Sequence, residues 1–530
     1  MATDHMSAGA TAVAAETPTG TSSGGGTLKG GALGLVGVLF MAVANAAPIT
    51  AMTGNLPIAV GSGNGLAAPA GFLVATVVLT LFSIGFVAMA RHITTAGGFY
   101  GFISHGLGPV WGMASGVLAA VAYVVFEGSL IGIFSYFASD ALDQWFGWSV
   151  NWLLLAVIGI VVVGLLGYFD ISLAAVVLGV FLVGEVLLLG ALALSVLFRG
   201  GGPDGMVWSA LNPVDAFRSL PEGGGLGLDG VVAGSAAIGL FFAFWSWVGF
   251  ETTATYGEES RNPKKIVPRA TLLAVIGLGL FYTFVSWMVI AGNGEAASLQ
   301  FGAAADGIGM FTGLAADNLG GGWVVDVYLF LIVSGSFACA LAFHNAASRY
   351  LFAIGREFPA MRRSLGAAHP THGSPHIASV VQSVITLLLT AAFYFLTVGG
   401  EDALTGAYVY EYGLLALMGT MAILIVQAIC SVAVISYFHV KKVHPGNVLT
   451  TGVIPALACL GMLYVVYLLF SNLSFAGGLA SGSPFFHAMP YVVAAVFVLA
   501  GLGALWLRSR RPAIYAEIGR TVMADEHELV

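Results

Sequence analysis

Residues 39–60 read LFMAVANAAPITAMTGNLPIAV, an apolar segment interrupted by two prolines and a glycine. About 20 apolar residues suffice to cross a membrane as a helix, but Pro48 and Pro57 each remove a backbone donor and clash with the preceding turn. Four polar residues lie at the same depth, namely Asn45, Thr50, Thr53 and Asn55. Because broken backbone persists in a membrane only inside protein or beside a watery cavity, the segment predicts an interrupted helix that lines a cavity.

A second interrupted segment lies further along the chain. Residues 239–260 read GLFFAFWSWVGFETTATYGEES, whose apolar face is interrupted at Ser246, Gly249, Glu251, Thr252 and Thr253. Two interrupted helices five spans apart indicate a binding site built on inverted repeats. An opened helix exposes N–H groups that attract a carboxylate at one new end and C=O groups that attract an ammonium at the other. The pair of breaks therefore predicts a site for a zwitterion.

The composition is that of a membrane protein. Of 530 residues, 58% are hydrophobic and 8% are charged, and the mean hydropathy is +0.93, whereas soluble domains carry about 25% charged residues. These values argue against a soluble enzyme, a nucleic-acid-binding protein or a disordered scaffold. The three cysteines form no metal-binding or disulfide pattern, and the chain has no P-loop motif for ATP. We predict no cofactor, no metal site and no nucleic-acid partner.

Twelve apolar stretches are long enough to cross a membrane. They lie near residues 31–60, 68–90, 110–138, 150–168, 172–198, 231–257, 270–292, 323–349, 377–397, 412–438, 450–471 and 489–508. If the N-terminus lies inside, only Arg199 and Arg218 of the 18 Lys and Arg residues fall in outer loops. Because cytoplasmic loops carry the excess of Lys and Arg, we predict a multi-pass protein of the cell (inner) membrane with both termini in the cytoplasm.

Three motifs resemble those of the amino acid–polyamine–organocation (APC) permease superfamily. Residues 244–270 read FWSWVGFETTATYGEESRNPKKIVPRA and are similar to the family's aromatic-rich segment, Gly-Phe-Glu and Glu-Glu-x-x-Asn-Pro. Residues 348–378 read SRYLFAIGREFPAMRRSLGAAHPTHGSPHIA and resemble the family's inner loop after span 8. Residues 94–116 read TTAGGFYGFISHGLGPVWGMASG and resemble its Gly-Gly-x-Tyr stretch. The resemblance extends from residue 30 to about residue 508 and points to a bacterial amino acid permease.

The resemblance implies an all-α polytopic membrane protein of twelve transmembrane helices. Its 5+5 inverted-repeat transporter fold would have broken helices 1 and 6 and two peripheral helices. The implied divisions are a disordered cytoplasmic tail at 1–28, the first repeat at 29–200, the second repeat at 230–440, spans 11 and 12 at 448–508, and a cytoplasmic tail at 509–530. One departure is visible, because many members read Gly-(Ser/Ala)-Gly at the first break and this chain reads Ala46-Ala47-Pro48.

The predicted substrate site is built from the two breaks. The substrate carboxylate would meet backbone between Ala47 and Thr53, and its ammonium would meet carbonyl groups near Ala44 and in residues 244–246. By resemblance, Trp245 is the gating aromatic residue. The full predicted set is Ala44, Ala46, Ala47, Pro48, Ile49, Thr50, Thr53, Phe244, Trp245, Ser246, Gly249 and Glu251.

Four ionisable residues within the apolar spans are candidates for ion coupling or recognition. Glu185 would bind H⁺ or Na⁺, since an apolar environment favours a protonated carboxyl group; alternatively it is a neutral, hydrogen-bonded group between helices. Glu251 would take a proton or accept bonds from opened backbone; alternatively it is a paired hinge residue. Glu127 would recognise a cationic substrate if it faces the cavity; alternatively it faces another helix. A lone residue such as His344 is more often structural than a proton relay.

Transport of amino acids by alternating access, coupled to H⁺ in preference to Na⁺, is the function that the resemblance implies. The protein would be a symporter whose partners are a small-molecule amino acid or amine and the lipid bilayer, as a monomer or homodimer. Three alternatives stay open: an amine or polyamine importer, an uncoupled amino acid exchanger, and a transporter-like sensor. An enzyme is not expected, because no nucleophile–base pair can be argued from the sequence.

Overall fold

The computed structural model describes residues 28–169, 171–473 and 480–520. Within these ranges the regular elements are helices, apart from two isolated β-bridges. The predicted disordered tail therefore lies outside the described residues, apart from Leu28, as does the end of the C-terminal tail at 521–530. Leu28 is buried beside Ala96 and Phe352. In the C-terminal segment, Ile518 is also buried.

In the first half of the chain, the residues that the structure describes form seven α-helices. They are α1 (Leu35–Ala46), α2 (Pro48–Ile58), α3 (Ala68–Ala90), α4 (Phe99–Leu107), α5 (Pro109–Phe146), α6 (Trp152–Tyr168) and α7 (Ile171–Arg199). A π-helical segment (Ala59–Asn64) and a short 3₁₀ turn join α2 to α3. Proline begins α2 and α5, where its missing N–H would have had no helical partner.

The described residues of the second half form ten α-helices. They are α8 (Ala236–Trp245), α9 (Pro263–Asn293), α10 (Glu295–Ala303), α11 (Gly307–Leu319), α12 (Gly322–Glu357), α13 (His376–Leu396), α14 (Gly413–Ile435), α15 (Ile454–Ser471), α16 (Pro484–Arg510) and α17 (Pro512–Glu517). A 3₁₀ segment (Phe250–Tyr256) follows α8, and a π-helical segment (Ala403–Tyr412) leads into α14.

Nine helices of the described chain are long and apolar enough to cross a membrane. One of these nine segments, Leu35–Ala90, includes α1, α2 and α3 with the short segments between them, and it covers two of the predicted spans. The helix Trp152–Tyr168 has 17 residues and falls just short, and α8 has 10 residues because it ends at a break. The all-helical, multi-pass architecture agrees with the sequence analysis, whereas the count of twelve spans and the inverted repeat stay predictions.

Close packing between helices depends on residues without side chains. Gly106 of α4 lies directly against Ala433 of α14, so that a Cβ atom at position 106 would meet the Ala433 carbonyl oxygen at 2.4 Å. Small residues let membrane helices approach to backbone contact, where dispersion forces replace the missing hydrophobic drive. This contact ties α4, which carries the Gly-Gly-x-Tyr motif, to α14.

We expect the substitution Gly106→Ala to destabilise the protein by about 1–3 kcal/mol, because the added methyl group forces the two backbones apart. The measurement is thermal unfolding of purified protein in detergent, followed by tryptophan fluorescence. Gly503→Ala in α16 is the matched control, since nothing lies within 4 Å of a Cβ atom there. Equal unfolding temperatures for the two variants would contradict the role of this contact.

Candidate functional site

The first break lies at Ala47, between α1 and α2. Ala47 has φ 42° and ψ 76°, in the left-handed region that residues with a Cβ atom rarely adopt. This conformation costs roughly 1–2 kcal/mol for a non-glycine residue, and it occurs at the middle residue of Ala46-Ala47-Pro48, the three residues that depart from the pattern of the resembled family. Pro48 then begins α2. The helix is therefore interrupted where the sequence predicted it, one residue before the proline.

The second break touches the first. After α8 ends at Trp245, Gly249 adopts φ 114° and the chain continues as the 3₁₀ segment. A Cβ atom at Gly249 would meet the Cβ of Asn45 at 2.4 Å, so glycine is required for the approach. Across the contact, Asn45 Nδ2 donates to Thr252 Oγ1 at 2.8 Å, and that hydroxyl donates to the Gly249 carbonyl at 2.6 Å.

A small cavity of about 30 Å³ lies between the two breaks. It is lined by Asn45, Ala46, Ala47, Thr50, Ala51, Asn55, Phe126, Leu130, Trp245, Ser246, Val248, Cys339, Phe343 and Tyr412. All of these residues are buried, and none has a formally charged side chain. At roughly 10–15 Å³ for each water molecule, the cavity holds water but not an amino acid. The protein is closed around it.

Two polar atoms in the cavity lining have no hydrogen-bond partner among the described residues. They are Asn45 Oδ1 and Thr50 Oγ1, and each residue is 2% exposed. A buried polar group left unpaired costs about 1–3 kcal/mol. A polar molecule in the cavity would remove this cost, with the amide oxygen as an acceptor and the hydroxyl as a donor or acceptor.

The opened backbone of the first break is bonded by side chains of three other helices. The Asn45 carbonyl accepts from Cys339 Sγ at 3.1 Å, and the Ala46 carbonyl accepts from the Tyr282 hydroxyl at 2.8 Å. On the other side, the Ile49 N–H donates to Glu185 Oε2 at 3.1 Å. The carbonyl groups that were predicted to meet the substrate ammonium are hydrogen-bonded within the protein. The Ala44 carbonyl accepts from the Ala47 N–H, and the Phe244 and Trp245 carbonyls accept from N–H groups of the following turn.

Glu185 reaches the break from α7 and lies outside the cavity lining. Its carboxyl group is at the first turn of α2, where the helix dipole favours negative charge. Gly335 of α12 makes room for it, because a Cβ atom there would meet Glu185 Oε1 at 2.6 Å. The side chain is 2% exposed. Glu185 is therefore in direct contact with the predicted carboxylate-binding turn.

Glu251 bonds the second break. Its Oε2 accepts from the Gly249 N–H at 3.1 Å, and its Oε1 accepts from the Tyr123 hydroxyl at 2.8 Å. Of the two functional interpretations given for Glu251, this geometry matches acceptance of opened backbone N–H groups. Like Glu185, Glu251 does not line the cavity.

Glu127 is turned away from the cavity lining. It is 0% exposed, and its Oε1 lies 3.0 Å from Nδ1 of His344 on α12. It therefore faces another helix, which was the alternative to cation recognition. The sequence did not indicate that His344 pairs with Glu127, because the two residues are 217 positions apart and no spacing rule links them.

The two tryptophans of the second break have different surroundings. Trp245 lines the cavity, stacks on Phe242 with ring centroids 4.9 Å apart, and makes a tilted contact with Tyr412 at 5.3 Å. Trp247 packs instead against Tyr282 in an edge-on contact at 5.1 Å. The position of Trp245 suits the gating role that the resemblance implies.

Five of the predicted substrate-binding residues line the cavity, namely Ala46, Ala47, Thr50, Trp245 and Ser246. The others surround it: Thr53, for example, bonds to Tyr328, and Gly249 packs on Asn45. The lining residues not in the predicted set include Phe126, Leu130, Val248, Cys339, Phe343 and Tyr412. Most are apolar residues within apolar helices, so the sequence contains no signal that separates them from their neighbours.

The two longest resemblance motifs meet through two ion pairs. Arg349 donates to both carboxylate oxygens of Glu259, at 2.7 and 2.8 Å, and its guanidinium lies 5.0 Å from the centre of the Tyr256 ring. Arg356 likewise pairs with Glu258. Both pairs are almost fully buried. They join the turn that follows the 3₁₀ segment to α12.

We expect Glu259→Gln to destabilise the protein by about 3–5 kcal/mol, because it leaves the buried Arg349 guanidinium without a counter-charge. The measurement is thermal unfolding in detergent. Replacing both partners, as Glu259→Leu with Arg349→Met, should cost less than the single change. Glu222→Gln, on an exposed loop carboxylate, is the control. A single variant as stable as this control would contradict the importance of the pair.

Comparison with known proteins identifies similar chains. The family model described as amino acid permease matches residues 33–500. A branched-chain amino acid permease of Bacillus subtilis is 26% identical over 31% of this chain and 32% of its own length, so the chain spans about a third of that relative. A serine/threonine exchanger of the same organism is 22% identical over 66% of this chain and 71% of its own. A transporter of uncharacterised function from Mycobacterium tuberculosis is 28% identical over 63% and 68%.

Proposed function

We propose a transport function for this chain, which belongs to the amino acid permease family. Membership makes it a transporter and not an enzyme. The proposed activity is secondary active transport of neutral amino acids by alternating access. The observation that carries it is the closed cavity at the meeting point of two broken helices, with the unpaired atoms Asn45 Oδ1 and Thr50 Oγ1 in its lining.

The cavity supports a binding mode for a zwitterion. The Thr50 hydroxyl and the first turn of α2 present hydrogen-bond donors and the positive end of a helix dipole to a carboxylate. Asn45 Oδ1 offers an acceptor to an ammonium on the other side of the break. The cavity must enlarge to admit the ligand, and opening the Arg349–Glu259 pair is the step that would connect it to the cytoplasm.

The lining favours a neutral substrate over a cationic one. Phe126, Leu130, Phe343 and Val248 lie around the space left for a side chain, and none of the described residues that line it is a carboxylate. The amine or polyamine alternative required Glu127 in the cavity, and Glu127 instead faces His344. The names of the two Bacillus subtilis relatives, for branched-chain amino acids and for serine and threonine, also refer to neutral amino acids.

Glu185 supports coupling to protons. When ionised, it accepts the Ile49 N–H and places a negative charge at the turn that a substrate carboxylate would approach. Protonation removes that repulsion and frees a donor, so proton and substrate would each increase the affinity for the other. This reciprocal effect is the thermodynamic requirement for symport. Na⁺ coupling and uncoupled exchange are the competing possibilities.

The remaining features of the proposal follow from the sequence. The protein would lie in the inner membrane and have twelve spans, ten in a 5+5 inverted repeat and two peripheral. Both termini would then lie in the cytoplasm. The distribution of Lys and Arg between loops supports this orientation. We propose a monomer or homodimer.

We expect concentrative uptake of neutral amino acids into proteoliposomes when an inward proton gradient is imposed. Glu185→Gln should abolish the proton-driven component because it removes the titratable group beside Ile49. The assay compares an inward proton gradient, an inward Na⁺ gradient and no gradient. Glu222→Gln is the control carboxyl variant, on an exposed loop.

Other outcomes of this assay identify the alternatives. Equal flux with and without gradients, unchanged by Glu185→Gln, would mean a facilitator or exchanger and would refute the coupling role of Glu185. Uptake that follows only the Na⁺ gradient would refute proton coupling. Substrate binding without any flux would indicate a sensor.

We expect Thr50→Val to raise the KM for neutral amino acids roughly 10- to 100-fold, because a hydrogen bond to a charged group contributes about 1.5–3 kcal/mol. Initial uptake rates over a range of substrate concentrations give the KM. Thr312→Val is the control, since Thr312 bonds only its own helix, to the Ile308 carbonyl. In the same assay, arginine and putrescine should not compete with a neutral substrate. An unchanged KM, or strong competition by a cation, would contradict the binding mode.

A further inference from the structure

A further buried ionisable pair, besides the two arginine–glutamate pairs, lies next to the cavity wall and takes no part in the mechanism described above. Glu127 of α5 and His344 of α12 are both 0% exposed, and Oε1 lies 3.0 Å from Nδ1. The other ring nitrogen, Nε2, lies 2.7 Å from the Ser379 hydroxyl of α13. The pair therefore joins three helices within the apolar interior.

We propose that the Glu127–His344 pair is a second proton-binding site of this protein. With a neutral imidazole and an ionised carboxylate, the pair carries one net negative charge in an apolar medium. Binding of one proton makes the pair neutral overall, either as imidazolium with carboxylate or as imidazole with carboxylic acid. Because an unbalanced charge in the membrane interior is expensive, the closed protein holds this proton.

The hydrogen bonds around the pair leave room for that proton. Glu127 Oε2 is buried and has no hydrogen-bond partner in the part of the chain that the structure describes. Ser379 is able to donate to Nε2 of a neutral His344 or to accept from a protonated ring, since its hydroxyl also lies 3.5 Å from the Gly164 carbonyl. The site therefore accommodates both protonation states without a change of partners.

Among the described residues, the groups that contact the His344 ring from α13 and α6 carry no charge. From α13 the facing group is the Ser379 hydroxyl, and from α6 it is Gly167, where a Cβ atom would meet the His344 ring at 2.5 Å. These two contacts are uncharged and hold the ring in place. These two helices therefore contribute no charge that could balance the charge of the Glu127–His344 pair.

The nearest charged or titratable groups on α5 and α12 already have partners. Tyr123, one turn before Glu127, donates its hydroxyl to Glu251. Arg349, which follows His344 on α12, is bound to both oxygens of Glu259. Neither group is therefore available to neutralise Glu127.

A proton fits this site better than a metal ion. Imidazole nitrogen is a ligand for zinc, copper or nickel and not for alkali cations. Zinc and its neighbours require further donors, and the described residues contain no group of three or more His, Cys, Asp or Glu side chains that could hold a metal.

The position of the pair links its charge to the cavity. The residues beside it in the chain, Phe126 and Phe343, both line the cavity and stack on each other with centroids 4.9 Å apart. A change in charge between Glu127 and His344 changes the attraction between α5 and α12 at this wall. The site is separate from Glu185, which lies on α7. Proton binding here does not depend on the proposed transport function, but its use in coupling does.

The first experiment measures proton binding directly, without transport. Infrared difference spectra of the purified protein between acidic and alkaline buffer should contain one carboxyl signal and one imidazole signal that titrate together, because coupled groups titrate as a pair. Glu127→Gln and His344→Gln should each remove both signals. Glu411→Gln is the matched control: its carboxyl group is equally buried but bonds to Thr390, and the paired signals should persist.

The second experiment measures the number of protons moved with each substrate molecule. In proteoliposomes, the proton gradient that just balances a fixed substrate gradient gives this ratio. Glu127→Gln should lower the ratio by one while Glu185 is intact, and substrate exchange without a gradient should continue. Glu411→Gln should leave the ratio unchanged.

The outcomes separate this inference from the proposed coupling role of Glu185. Paired infrared signals that survive in both Glu127→Gln and His344→Gln would overturn the proton site, whatever the transport assay gives. A ratio lowered by Glu127→Gln but not by Glu185→Gln would support the second site and refute the first. If one variant does not fold, the other still tests the site, because either change removes one member of the pair.

Discussion

The opened backbone of the two broken helices is the constraint on which the rest of this structure depends. In an apolar interior, no bulk water bonds an exposed N–H or C=O group, so protein side chains must do so. Cys339, Tyr282 and Glu185 come from three different helices to bond the carbonyl groups of Asn45 and Ala46 and the N–H of Ile49. Their convergence holds α7, α9 and α12 against the break and leaves the cavity at its centre.

The same constraint explains where buried charge occurs. Glu185 and Glu251 each accept an opened backbone N–H, and Glu258 and Glu259 pair with arginines of α12. In each of these places, a hydrogen bond or an ion pair compensates the charge of the carboxylate while the local geometry is kept. Movement of the breaks removes that compensation and must therefore change the charge state or the partner of the carboxylate. In the proposed mechanism, this change would connect the opening of the cavity to proton binding at Glu185.

The positions of the two helix breaks could be predicted from the sequence, whereas the side chains that surround them could not. Pro48 and the polar residues around Gly249 identify the two breaks, because prolines and carboxylates inside apolar spans have few explanations. The cavity walls contributed by Phe126 and Leu130 could not be identified. In a soluble helix, periodic polarity shows which face is buried, whereas a membrane helix is apolar both towards lipid and towards protein.

The membrane class, the two interrupted helices and the family resemblance could be predicted before the fold was known, since they follow from composition, local backbone chemistry and short motifs. Which groups meet became visible only in the folded protein. It placed Glu185 at the Ile49 N–H, Glu127 at His344 and not in the cavity, and the two resemblance motifs in one buried ion-pair cluster. The physical reason is that such contacts join residues far apart in the chain. Their partners are fixed by helix packing, which local sequence patterns do not encode.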